Sequence, residues 1–221
     1  PQGSHCDHAT VLNHPINEDM MNDLPQDIQV IHFHSPPPLN LNLPHVFTLH
    51  GNAEFGVPLP LQTVFISQDQ ANRHNGSLFV HNGLSWPKNS FQNNQLAREN
   101  FHFLGKASWR RKNVKGAIRC ARKAKAGKID VLGGYRLNFS MGFRFTFDFN
   151  ARFHGMVDND YKYNLMKKSK GLIFPVRWNE PFGLVILESF QHGKPVIASK
   201  SGGIPEVVSH GSDGLLFTSG N

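Results

Sequence analysis

Phe174-Pro175-Val176-Arg177-Trp178-Asn179-Glu180-Pro181-Phe182-Gly183-Leu184-Val185-Ile186-Leu187-Glu188 is the stretch whose reading decides the fold. An apolar run ends at Pro175, a loop holds Glu180, and a helical pattern opens near Gly183 and closes at His192-Gly193. A strand–loop–helix unit of this kind aims the unpaired amides of the helix start at the carboxyl edge of a sheet. That end of a helix carries about half a positive charge, so a phosphate is stabilised there. Gly183 lets backbone approach a ligand closely. Glu180 in the loop and Glu188 in the helix reach the same crevice from different depths. A carboxylate accepts two or more hydrogen bonds and can hold vicinal hydroxyls. Either glutamate alone is better explained as a surface residue or a helix-stabilising charge; the pair within this string points to a site.

Outward from that unit, short apolar runs alternate with helical patterns. Strands are expected at Val30–Phe33, His45–Leu49, Thr63–Ser67, Leu78–His81, Phe101–Leu104, Lys128–Leu132, Gly171–Pro175, Pro195–Ala198 and Gly214–Phe217. Their nearly continuous apolar character suits parallel strands covered on both faces. Helices are expected over Asn113–Lys125, with Val114, Ile118 and Ala121 on one stripe and Gly127 as the stop, and over Asp160–Lys168, capped by Asp158 or Asn159. The alternation predicts an α/β doubly wound fold. The polar segment Pro87–Glu99 reads as a linker. It divides the chain into an N-terminal part, 1–90, and a C-terminal part, 91–221.

At 221 residues, 39% hydrophobic and 18% charged, the chain is far from the disordered class and can bury a core. No apolar run reaches the length of a membrane span. Cys6 and Cys120 lie far apart, so no disulfide framework is expected and a reducing cytoplasm is the default. The net charge of +7 suggests an anionic partner. No arginine-rich arm, zinc-finger spacing or RNA-recognition signature accompanies it, so no nucleic acid is expected. Asp158-Asn159-Asp160 is better explained by helix capping than by metal binding. His32, His34 and His50 lack a further ligand at metal spacing, and His5-Cys6-Asp7-His8 lies near one end, so no metal is expected.

The central string resembles the E-x7-E region of family 4 glycosyltransferases, the retaining class of the GT-B fold. The likeness continues through Glu188-Ser189-Phe190-Gln191-His192-Gly193-Lys194-Pro195, the turn Ser201-Gly202-Gly203-Ile204-Pro205-Glu206, and Gly214-Leu215-Leu216-Phe217. Upstream, Gly105-Lys106 and Lys112 resemble the family's donor-phosphate motif, with Lys106 where arginine is usual. A lysine there is a point charge without the bidentate fork. Asn82-Gly83, His32-Phe33-His34-Ser35 and Leu49-His50-Gly51 are similar to strand ends of the family's N-terminal domain.

The resemblance implies two Rossmann-like parallel-sheet domains facing a cleft, the N-terminal one incomplete. Family members are markedly longer, so the chain is expected to be incomplete at both ends. The implied function is transfer of a sugar from a nucleotide-diphosphate sugar to a hydroxyl acceptor, with retention and without metal or cofactor. Glu180, His50 and His34 would serve the reaction. Lys106, Lys112, Phe182, Gly183, Leu184, Val185 and Glu188 would hold the donor, and Gly155 and Val157 its base. A cytoplasmic location with peripheral contact at the inner membrane face, and a sugar or lipid-linked acceptor, complete the expectation. A non-catalytic nucleotide-sugar module of the same fold is the alternative, and a basic nucleic-acid binder stands behind it.

Overall fold

The computed structural model describes residues 24–25, 27–37, 43–54, 56–85, 99–139 and 143–218. The expected linker up to residue 98, the 90/91 boundary and the His5–His8 cluster lie outside them.

The N-terminal sheet is small and parallel, in the order β1 (Ile31–Phe33), β2 (His45–Leu49), β3 (Thr63–Phe65). Leu78–His81, expected as a strand, forms only an isolated parallel bridge between Phe79 and Phe65. Helix α1 (Gln68–Arg73) was not expected, because its polar sequence shows no apolar stripe. It forms nonetheless. Ser67 caps it by accepting from Gln70 N, and Arg73 pairs with Asp69 one turn earlier at 2.6 Å. Gln70 is buried; it accepts from Ile66 N and donates to the carbonyls of Leu49 and Gly51.

The larger sheet has six parallel strands: β4 (Phe101–Leu104), β5 (Ile129–Leu132), β8 (Ala151–Phe153), β9 (Leu172–Phe174), β10 (Val196–Ser199) and β11 (Gly214–Phe217). An antiparallel hairpin, β6 (Leu137–Asn138) and β7 (Arg144–Phe145), is inserted between β5 and β8. The spatial order is β11-β10-β9-β4-β5-β8. The chain starts in the middle at β4, winds outward through β5 and β8, then returns to the other side of β4 at β9. This is the doubly wound order of a nucleotide-binding sheet, and its switch point lies between β4 and β9. Strand β8 was missed in the sequence because three residues with an exposed arginine at the centre carry little apolar signal.

Two cores cover the sheet. Helix α2 (Val114–Lys123) buries Val114, Ala117, Ile118 and Ala121 against Phe103, Ile129, Val131 and Ile173. Leu172 and Phe174, the neighbours of Ile173, join Ile186, Val196, Ala198 and Ile204 in the second cluster. Successive strand residues point to opposite faces, so β9 is buried on both. Helix α3 (Asn159–Lys168) is capped by Asp158, whose carboxylate accepts from Tyr161 N at 2.8 Å. Helix α2 ends at Lys123 with Ala124 as its C-cap, two residues short of the expected Lys125.

His102 on β4 is fully buried, with Nδ1 2.6 Å from the Ser169 hydroxyl. Burial first, then His192 and Lys194, push its pKa down to about 3. Burial, then Lys167, Lys194 and Lys162, push His192 to about 4. Both are therefore neutral in the fold, whereas the unfolded chain takes up those protons below the ordinary value of 6.5. Their contribution is complete above that value and drains away as the pH falls from there toward 3. His102 gives a slope of roughly 1.4 kcal/mol per pH unit. His192 adds less, because solvent screens it. Urea unfolding at a series of pH values is expected to show this acid limb, and His102→Gln to flatten it.

Candidate functional site

The loops that follow β4 and β9 meet at the switch point. After β4 the chain makes a 3-10 turn, Arg110–Lys112, and enters α2 through Asn113 in the left-handed region, φ 57°. Asparagine tolerates that conformation because its side chain bonds locally. Here it accepts from Gly116 N and donates to Pro175 O at 2.8 Å. Arg177 N also donates to Arg111 O at 2.7 Å. These two bonds staple one loop to the other.

The staple brings Lys112 to Glu180. Lys112 Nζ donates to both carboxylate oxygens, at 3.0 and 2.8 Å, and Trp178 Nε1 donates to Oε2 at 2.7 Å. Lys112 Nζ also lies 5.1 Å from the centre of a Trp178 ring and 5.2 Å from that of Phe174. Glu180 is buried, so three hydrogen bonds from two donor groups compensate the desolvation of its carboxylate. Trp178 was not singled out in the sequence. The usable signal was that an indole N–H inside a polar loop seeks an acceptor.

Helix α4 (Leu184–Gln191) begins directly after this loop, with Gly183 at φ 102° as its cap. Ile186 N donates to Gly183 O, and the amides of Leu184 and Val185 precede this first intrahelical donor. Glu188, one turn further, is held by Lys162 of α3 at 2.6 Å. Twenty-six positions separate that pair, so no local pattern announced it. Phe182 is buried, with its ring 5.4 Å from His81. Leu184 is exposed and Val185 half-buried. Lys106 does not join the carboxylate: it is exposed, 5.7 Å from the Trp109 ring, which packs edge-on against Trp178 at 5.9 Å. Gly155 is buried, and its carbonyl accepts from the amides of Gly133 and Gly134; Val157 is half-buried nearby.

The turn Ser201-Gly202-Gly203 lies directly beneath Glu180. Gly203 N donates to Glu180 O at 2.8 Å, and Ser201 Oγ to Trp178 O at 2.8 Å. The N-terminal sheet closes on the same loop. Ser67 Oγ donates to Pro181 O at 2.6 Å, and Asn52 Nδ2 to Asn179 O at 2.8 Å. Glu206, on the short helix α5 (Ile204–Val207), accepts from the first amides of α1, Gln68 N and Asp69 N, at 2.8 and 2.7 Å, and contacts His81 Nε2 at 2.9 Å. Burial raises its pKa, but the Asp69 amide, His81 and the Gln68 amide together lower it below the ordinary glutamate value. Glu206 thus caps a helix of the other sheet, a role its motif alone did not reveal.

His34 and His50 stand at the carboxyl ends of β1 and β2. Their rings stack at 5.0 Å, with His34 Nδ1 2.7 Å from His50 Nε2. Burial, then His32 and His50, lower the His34 pKa. The bond joining this edge to the Glu180 loop is made by Asn52, not by either histidine. Among the described residues no group of three or more His, Cys, Asp or Glu is gathered closely enough to hold a metal ion. No helix among them is long and apolar enough to cross a membrane.

Two cavities lie away from the pair. One of about 840 Å³ borders the N-terminal sheet, between Leu61, Arg73, His74, Leu78 and Asn179. Another of about 260 Å³ lies between α3 and the residues preceding β4 and β9. Its polar groups satisfy each other: Asp130 accepts from Asn100 Nδ2 at 3.0 Å and contacts His154 at 2.8 Å.

Two parallel α/β sheets meeting across one cleft, with the paired loops at the switch point of the larger, define the GT-B fold. Residues 148–221, which include Glu180 and Glu188, match the family described as Glycosyl transferases group 1. The probable sucrose-phosphate synthase 5 of Oryza sativa subsp. japonica is 40% identical over 63 residues, 28% of this chain and 6% of that protein. HepE from Anabaena, crystallised with UDP-glucose, superposes with a TM-score of 0.63 at 20% identity, covering 81% of this chain and 59% of that one. A glycosyltransferase from Rickettsia africae gives 0.68 at 15% identity, covering 92% and 65%. The chain therefore spans less than two thirds of each of these relatives.

Proposed function

We propose that this chain carries the donor site of a retaining, metal-independent glycosyltransferase that moves a sugar from a nucleotide-diphosphate sugar to a hydroxyl acceptor. The observation that carries the reading is the Lys112–Glu180 pair at the switch point, directly before the amide-rich start of α4. The family match over residues 148–221 supports it, and HepE's partner makes UDP-glucose the first donor to try.

In this reading the donor exchanges partners with the protein. Its diphosphate takes Lys112, with the amides of Leu184 and Val185, and Lys106 approaches from the exposed side. Glu180, released from Lys112, accepts from the sugar hydroxyls, and Glu188 exchanges Lys162 for the ribose. Gly155 and Val157 border the base. The acceptor oxygen bonds to the anomeric carbon on the face from which the diphosphate leaves. The bond from that carbon to the β-phosphate oxygen breaks, and the acceptor proton passes to the departing phosphate. Negative charge grows on that phosphate, so Lys112 and the amides bind the transition state more tightly than the ground state. His34 and His50 face the acceptor. A cytoplasmic location and peripheral contact at the inner membrane face fit the +7 charge.

The test incubates the full-length protein with UDP-glucose and acceptor alcohols and measures released UDP and the anomeric proton of the product. Turnover unchanged by EDTA, with the donor's configuration preserved, is expected. Binding of UDP without release in any acceptor mixture would favour the non-catalytic module.

A further inference from the structure

The segment running into and out of β7 breaks the pattern of a soluble sheet. Thr146 is 8% exposed, whereas Phe145, Phe147 and Phe149 are 48%, 68% and 76% exposed. The apolar residues point outward and the hydroxyl points in, the reverse of a strand that covers a core. Phe143 and Phe139 are exposed as well, with ring centres 5.8 Å apart. Phe147 meets Phe149 edge-on at 4.8 Å and lies tilted against Phe145 at 5.9 Å. A contiguous aromatic face of this size marks an interaction surface. It is firmly based. Arg136 donates to the carbonyls of Thr146, Asp148 and Ala151 and lies over the Phe153 ring.

A second feature adjoins it. Helix α2 exposes Lys115, Arg119, Arg122 and Lys123 and contains no acidic residue. A cleft of about 160 Å³ lies between this face and the aromatic segment, lined among others by Lys115, Arg119, Thr146 and Phe147. Arg122 joins the two by an ion pair to Asp148 at 3.0 Å. Aromatic rings beside a row of cations are complementary to one kind of partner: an anionic lipid surface, into whose interface the rings insert while the cations meet the headgroups. Single-stranded nucleic acid would use open ring faces for stacking. Here Phe149 packs edge-on against Phe147, and the Phe145–Phe147 and Phe139–Phe143 pairs are tilted on one another, so the rings are turned toward each other rather than set as parallel platforms.

We infer that the aromatic segment Phe143–Phe149 and the basic face of α2 form a docking surface for an anionic lipid bilayer. This deepens the peripheral-contact part of the proposed function and does not depend on the donor site. The experiment sediments the protein with vesicles of phosphatidylcholine, with and without phosphatidylglycerol. Binding only to the anionic vesicles, weakened by salt, is expected. The Phe147→Ser/Phe149→Ser variant should bind about tenfold or more weakly, and Lys115→Glu/Arg119→Glu should lose the anionic preference. These side chains are exposed, so melting temperatures and UDP binding should not change. Vesicle binding untouched by both variants, or no binding at all, would overturn the inference. So would a dimer in sedimentation velocity, or tight binding of a single-stranded oligonucleotide, that Phe147→Ser/Phe149→Ser abolishes. Failure here with UDP release intact leaves the donor site standing.

Discussion

Lys112→Met is expected to lower sugar transfer by about 10²- to 10³-fold, the usual effect of removing one group that meets developing charge. The same variant also has a structural consequence. Glu180 is buried and keeps only the Trp178 indole as a side-chain donor once Lys112 is gone. Breaking a buried pair from one side costs about 3 kcal/mol, because the remaining charge is uncompensated. A lost activity could then reflect a loosened loop. The double variant Lys112→Met/Glu180→Gln separates the two causes. It removes both charges, so most of the stability should return while transfer remains impaired. Lys112→Arg keeps the charge and should recover part of the rate. Urea melts alongside UDP release check all three. Activity returning together with stability in the double variant would show that the pair only holds the loop.

Gly202→Ala should have the next largest effect. A Cβ there would stand 2.2 Å from Glu180 O and 2.4 Å from Glu180 N. Both atoms are backbone, so no rotamer change relieves the overlap, and the loop bearing Glu180 must move. Gly193 provides the control. It has the same φ of 62°, but nothing lies within 4 Å of its Cβ position. Gly193→Ala therefore incurs only the left-handed backbone penalty, about 1 kcal/mol. Gly202→Ala adds the displacement and should lose about 3 kcal/mol or more, together with nearly all transfer. Equal melting temperatures and equal rates for the two variants would sink this account of the turn.

What the sequence disclosed follows from where its signals are local. The strand–loop–helix unit around Glu180 was legible because apolar β9, Gly183 and the α4 pattern are contiguous. The six parallel strands were mostly legible because strands buried on both faces are apolar throughout. Strand β8 is short and half-polar, and α1 has no apolar stripe, so both escaped, although Ser67 three positions before Gln70 is a capping signal. The side chains of the candidate site could be named from the sequence, but not their pairing. Lys112 and Glu180 are 68 positions apart, and Lys162 and Glu188 are 26 apart. Only the doubly wound topology brings the loops after β4 and β9 together. Glu206 was visible as part of a motif, but its partner amides lie 138 and 137 positions away, on the other sheet.

The structure of the protein with UDP bound puts the central claim to its most direct test. The account predicts the β-phosphate at the amides of Leu184 and Val185, with Lys112 Nζ drawn from Glu180 onto a phosphate oxygen. A nucleotide seated instead in the cavity beside Asp130 and His154, with the Lys112–Glu180 pair intact, would contradict it.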